Sequence, residues 1–186
     1  RRGEEMTGEN PSLGFVGLGN MGAPMTNTLV KGGHSVTGFD INRQLLLKHA
    51  QEIGFHAADS AADAAKRSEI VITMLPNGHI VREAVLGANG IAEGLAKGGL
   101  IVDMSSAGAT GTAALGDELA ARGIALIDAP VSGGVGGAGG GTLAIMVGGN
   151  DEAASGLAWP IREKRGKKMF RGGPLGAGHA AKSINN

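Results

Sequence analysis

From Leu13 to Val16 the chain carries no polar side chain. It then runs directly into Gly17, Gly19 and Gly22, spaced G-x-G-x-x-G ahead of a segment with helical period. A strand that turns this sharply into a helix needs backbone positions that a Cβ would obstruct, and glycine removes the obstruction. The motif is meaningful only with a strand behind it and a helix ahead of it, and that alternation continues downstream. Apolar runs predict further strands at Ser35–Phe39, Phe55–Ala57, Glu69–Leu75, Leu100–Met104, Ile124–Pro130, Thr142–Gly149 and Lys168–Phe170. Helical period predicts helices over Met21–Lys31, over a segment starting near Asn42 with Leu45, Leu46 and His49 on one side, and over Ser60–Arg67 with Ser60 as N-cap. Three more are predicted over Ile80–Leu86, Thr112–Arg122 and Asp151–Arg162. Continuous apolar strands alternating with helices imply a parallel sheet covered on both faces. The expected fold class is α/β: a doubly wound, Rossmann-type, mainly parallel sheet.

Composition narrows the function. Lys+Arg and Asp+Glu each number 17, so no net field draws in nucleic acid or an anionic membrane, and neither is expected as a partner. The chain has no cysteine, hence no disulfide framework and no thiolate chemistry, which fits a reducing, cytoplasmic setting. His34, His49, His56 and His79 show no metal-ligand spacing, so no metal is expected. No apolar stretch approaches the roughly 20 residues of a membrane span. Residues 1–12 read as a disordered leader, 13–175 as a dinucleotide-binding domain, and 176–186 as the start of a further helix.

In a fold of this kind the first strand-to-helix turn is where a dinucleotide's pyrophosphate rests. Gly17 makes the turn, Gly19 lets the backbone approach the phosphates, and Gly22 lets the helix pack on the strand. The amides of the loop, Gly17, Leu18, Gly19, Asn20, Met21 and Gly22, would hold the diphosphate with help from the helix dipole. The alternative is a tight turn without a ligand. Asp40 ends the second strand, where a carboxylate accepts hydrogen bonds from the adenosine ribose and repels a 2′-phosphate. It could also cap the following helix. Arg43 acts in the opposite sense, since it could neutralise a 2′-phosphate. The expected cofactor is NAD, with NADP as the alternative.

Six stretches occur in a recognisable order: GFVGLGNMG (Gly14–Gly22), VITMLPN (Val71–Asn77), VDMSS (Val102–Ser106), DAPVSGG (Asp128–Gly134), GTLAIMVGG (Gly141–Gly149) and GAGHAAKSINN (Gly176–Asn186). Together they resemble the β-hydroxyacid dehydrogenases, the family of 3-hydroxyisobutyrate dehydrogenase and tartronate semialdehyde reductase, with a 6-phosphogluconate dehydrogenase-like NAD-binding domain. The resemblance implies that Lys182 is the catalytic lysine and that Asn186 helps to hold the substrate. It places Ser132, Gly133 and Gly134 on a substrate-binding turn. Leu75 and Pro76 fall on the loop beside the cofactor, and Ser106 near the nicotinamide and the substrate. The implied activity is hydride transfer between NAD(P) and a small β-hydroxy acid or its semialdehyde.

The chemistry is consistent with these positions. Residues i and i+4 share a helix face, so Lys182 and Asn186 can converge on one small molecule. Alcohol oxidation needs a group that takes the hydroxyl proton, and a lysine serves if burial lowers its pKa. The competing reading is a non-catalytic dinucleotide-binding module or an imine-reductase-like relative, against which the lysine speaks. The resemblance also implies a C-terminal all-helical domain that closes the site and forms a homo-oligomer. That domain is absent from this chain, so the piece alone is expected to bind cofactor but to turn over slowly.

Overall fold

In the computed structural model, residues 11–105 and 109–129 are described, with backbone alone at 109–110 and in the strand segments 131–132, 144–148 and 168–173. Six parallel strands form the centre: β1 (Leu13–Val16), β2 (Val36–Phe39), β3 (His56–Ala57), β4 (Ile70–Thr73), β5 (Leu100–Asp103) and β6 (Ala125–Asp128). Their spatial order is β3-β2-β1-β4-β5-β6, the doubly wound arrangement in which the order of strand addition reverses between β1 and β4. Beyond β6 the sheet changes sense. β8 (Ala144–Gly148) runs antiparallel to β6, β7 (Val131–Ser132) runs antiparallel to β8, and β9 (Lys168–Gly173) pairs parallel to β8.

Helices cover both faces, and the pleat of the strands sorts the side chains between them. Leu13 and Phe15 of β1, Ile70 and Ile72 of β4, and Leu100 and Val102 of β5 join Met25 and Leu29 of α1 (Gly22–Lys31) and Leu46 of α2 (Arg43–His49) in one core. Their neighbours Val16, Val71 and Ile101 point the other way. They pack with α3 (Ala61–Lys66), α4 (Gly78–Leu86), α5 (Ile91–Gly94) and α6 (Ala109–Ala120) in a second core. Fully burying a side chain such as Phe15 or Ile72 contributes about 2 kcal/mol. A polar substitution at either would therefore attack the packing of the first core at the centre of the sheet. Among the described residues, no helix is long and apolar enough to cross a membrane.

The local signals account for most element ends. Asn42 caps α2 through Leu45 N–H, Ser60 caps α3 through Asp63 N–H, and Asn77 caps α4 through Ile80 N–H. β4 occupies only the middle of the apolar run Glu69–Leu75, and just past it Met74 N–H still donates to the carbonyl of Val16 in β1. Three of the described elements have no counterpart in the sequence reading, the two-residue strand β7 and two helical turns. A π-helical turn, Ala50–Gly54, extends α2, and α5 supplies a single turn that packs against α3. The helix expected over Asp151–Arg162 lies outside the described residues.

Candidate dinucleotide site

The glycine loop follows β1 at the point where the strand order reverses, between β1 and β4. Gly17 has φ +102°, a conformation that a Cβ would strain, and any Cβ placed on it would run into the carbonyl oxygen of Met74. A Cβ on Gly22 would strike the carbonyl oxygen of Gly17. These two glycines close the turn onto β4 and onto itself. Gly19 differs: it is exposed, and a Cβ there would meet nothing within 4 Å. The structure thus leaves open space at the one motif position where a phosphate would approach the backbone.

The start of α1 faces that space. No side chain caps α1, in contrast to α2, α3 and α4. Ala23 N–H is already donated to the Gly19 carbonyl and Pro24 has no N–H, so in this first turn it is the positive end of the helix dipole that suits an anion. A cleft of about 600 Å³ continues from the loop between α1 and α2, lined by Gly19, Asn20, Pro24, Leu45 and His49 among others, so the loop is accessible from outside.

Asp40 follows β2, and its carboxylate spans two segments. One oxygen, Oδ2, accepts the N–H of Leu18 at 2.8 Å, and the other, Oδ1, accepts the N–H of Asn42 at 2.8 Å. A carboxylate offers about four lone-pair positions, so each oxygen keeps acceptor capacity beyond these bonds. Half-buried, Asp40 remains within reach of a ligand laid across the loop. The alternative role as helix cap goes to Asn42, whose Oδ1 accepts Leu45 N–H at 3.1 Å. Next to Asp40, Ile41 is 95% exposed, an apolar surface that a flat ring could cover. Arg43 Nη1 stands 3.6 Å from Asp59 Oδ1 in a solvent-exposed pair.

On the other side of the loop, Leu75 Cδ2 would lie 3.0 Å from a Cβ on Gly17. Its backbone N–H donates to Ser105 Oγ at 2.7 Å, and Thr73 Oγ1 donates to Asp103 Oδ1 at 2.9 Å. Asp103 Oδ1 also accepts Ser105 N–H at 3.0 Å, so Asp103 anchors loops as its place at a strand end predicts. Pro76 is exposed beyond Leu75. The Asp63 carboxyl is held under its ordinary 3.8 by the N–H of Asp59 and then by Arg67.

Gly17–Gly22, Asp40 and Leu75 are therefore brought together, with Arg43 at the margin. Ser106, Gly133, Gly134, Lys182 and Asn186 lie outside the described residues, and Ser132 is described only as backbone in β7. Sequence reading missed Ser105, the hydroxyl that fixes the Leu75 loop, and Asp59, the partner of Arg43. Ser105 stands inside the VDMSS stretch and Asp59 two residues past β3, but the partner of neither can be read from spacing along the chain.

The sequence profile of the NAD binding domain of 6-phosphogluconate dehydrogenase matches residues 12–173. A 3-hydroxyisobutyrate dehydrogenase of Pseudomonas aeruginosa is 41% identical over 174 residues, 94% of this chain and 58% of that protein. A 3-sulfolactaldehyde reductase of Escherichia coli is 38% identical over 175 residues, again 94% of this chain and 58% of its own length. Among solved structures, a 3-hydroxyisobutyrate dehydrogenase of Mycobacterium tuberculosis with L-serine superimposes with a TM-score of 0.88 at 37% identity, over 95% of this chain and 59% of that one. The chain thus spans a little under three fifths of the length of the relatives it matches.

Proposed function

The chain belongs to the β-hydroxyacid dehydrogenase family, and we propose that it forms the dinucleotide-binding part of an oxidoreductase moving hydride between NAD and a small β-hydroxy acid or its semialdehyde. The observation that carries this reading is the hydrogen bond from Leu18 N–H to Asp40, which joins the glycine loop to the ribose-side acid beside the point where the strand order reverses. The loop and the start of α1 would hold the diphosphate, and Asp40 would hold the ribose hydroxyls. Ile41 would lie under the adenine. NAD is favoured over NADP because Asp40 would face a 2′-phosphate with like charge.

When bound, the nicotinamide supplies the hydride acceptor. The chain's own residues do the rest. Leu75 and Pro76 border the cofactor, and Ser106 stands beside nicotinamide and substrate. Ser132, Gly133 and Gly134 bind the substrate carboxylate through neutral donors. Lys182 Nζ takes the hydroxyl proton in oxidation and returns it in reduction, and Asn186, four residues on, orients the substrate. Residues 13–175 make the dinucleotide-binding domain and 176–186 begin the helix leading from it. We place the protein in the cytoplasm as a homo-oligomer.

Calorimetric titration tests the cofactor assignment. NADH should bind the chain more tightly than NADPH. Asp40→Ala should weaken NADH about thirtyfold, the loss of about 2 kcal/mol of charge-assisted hydrogen bonding. Equal affinities in Asp40→Ala and the parent would remove Asp40 from the site. No binding of either dinucleotide would remove the function.

A further inference from the structure

β2 and β3 run parallel with Gly38 paired to Ala57, and Ala58 N–H donates to the Gly38 carbonyl at 2.8 Å. Asp40 and Asp59 each stand two residues past that pair, so adjacent strands end in two carboxylates on the same edge of the sheet. Arg43, at the start of α2, is the cation beside them, and it is paired with Asp59 rather than Asp40. The Asp59 backbone is itself tied down, since its N–H donates to Asp63 Oδ2 at 3.0 Å and Asp63 is paired with Arg67.

We propose that Asp59 is a specificity-determining residue: it holds Arg43 on the β3 side of the edge, away from the 2′ position of the adenosine ribose, and so strengthens the preference for NAD over NADP. This rests on the dinucleotide reading above. An arginine near the end of β2 is the usual partner of a 2′-phosphate. To serve one here, Arg43 must first leave Asp59. With side chains 58% and 87% exposed, the pair is weak and screened, so its hold is limited to about a fivefold effect. Asp59 acts through Arg43 and is a positioning residue without a ligand contact of its own.

The test is titration of the 186-residue chain with NADH and NADPH, with thermal melting as a folding control. Asp59→Asn should raise NADPH affinity about fivefold and leave NADH affinity unchanged. Asp59→Glu, which keeps the charge, should restore the parent preference. In an Arg43→Ala background Asp59→Asn should produce no gain. A gain that persists without Arg43 would overturn the proposal, because Asp59 would then act by direct repulsion. No gain in Asp59→Asn would overturn it as well. If the parent binds neither dinucleotide, the dinucleotide reading fails and takes this inference with it, whereas NADH binding with an unmoved NADPH affinity sinks the inference alone.

Discussion

At the end of β1 the site is built from backbone. Gly17 lies against the carbonyl of Met74, Gly22 against the carbonyl of Gly17, and Gly19 between them borders open space. One strand away, at the end of β2, it is built from side chains: Asp40 bonded to Leu18 and Asn42, Arg43 paired with Asp59, and Ile41 bare to solvent. The first region contains no ionisable group and no slack, while the second is charged and mostly exposed. A pyrophosphate is common to every dinucleotide, so a rigid backbone cradle suits it. On the reading proposed above, the end of β2 would discriminate between a ribose hydroxyl and a phosphate, and side chains can be exchanged for that purpose without rebuilding the turn.

The largest expected effect tests the rigidity of the first region. Gly22→Ala should destabilise the fold by about 3 kcal/mol, because the new methyl meets a carbonyl whose own glycine is already packed against β4. Chemical denaturation measures this, and a parent-like midpoint would show that the loop yields freely. Three residues earlier the demand is reversed. Gly19→Val should shift stability by no more than about 0.5 kcal/mol, since its Cβ enters open space. Dinucleotide affinity should nevertheless fall about tenfold or more, the scale of about 1.4 kcal/mol. Undiminished affinity would mean that the ligand does not approach Gly19.

The smallest effect belongs to the charged edge. Asp63 has a folded pKa below its ordinary 3.8, so its contribution to stability is fully present above that value and is lost as pH falls through the lower folded value. Acidification below about pH 4 should therefore loosen the Asp59 amide, whose acceptor is Asp63, before the Gly17 amide, whose acceptor is the Phe39 carbonyl. Hydrogen exchange followed against pH reads this order. Simultaneous loss of protection at both amides would erase the distinction between the two regions.

Much of this was legible in the residues. β1 occupies the four positions its apolar run predicts, Ser60 caps α3 as expected, and Asp40 meets the glycine loop. These features depend on neighbours in sequence, or on one crossover whose geometry the α/β pattern implies. α5 escaped notice because a four-residue helix has too few positions to show a period, and its place comes from packing against α3. The antiparallel pairing of β8 with β6 was equally hidden, since an apolar run reads the same in either direction.

The candidate site divides along the same line. The glycine spacing and the acid after the second strand are requirements on single backbone positions, and each can be read where it stands. The contacts Leu75 to Ser105 and Arg43 to Asp59 join residues 30 apart and 16 apart along the chain. They exist because the parallel register brings the ends of β4 and β5, and of β2 and β3, to one edge. No local propensity encodes that meeting; it follows from packing both faces of the sheet, which sets the height of each strand against its neighbour.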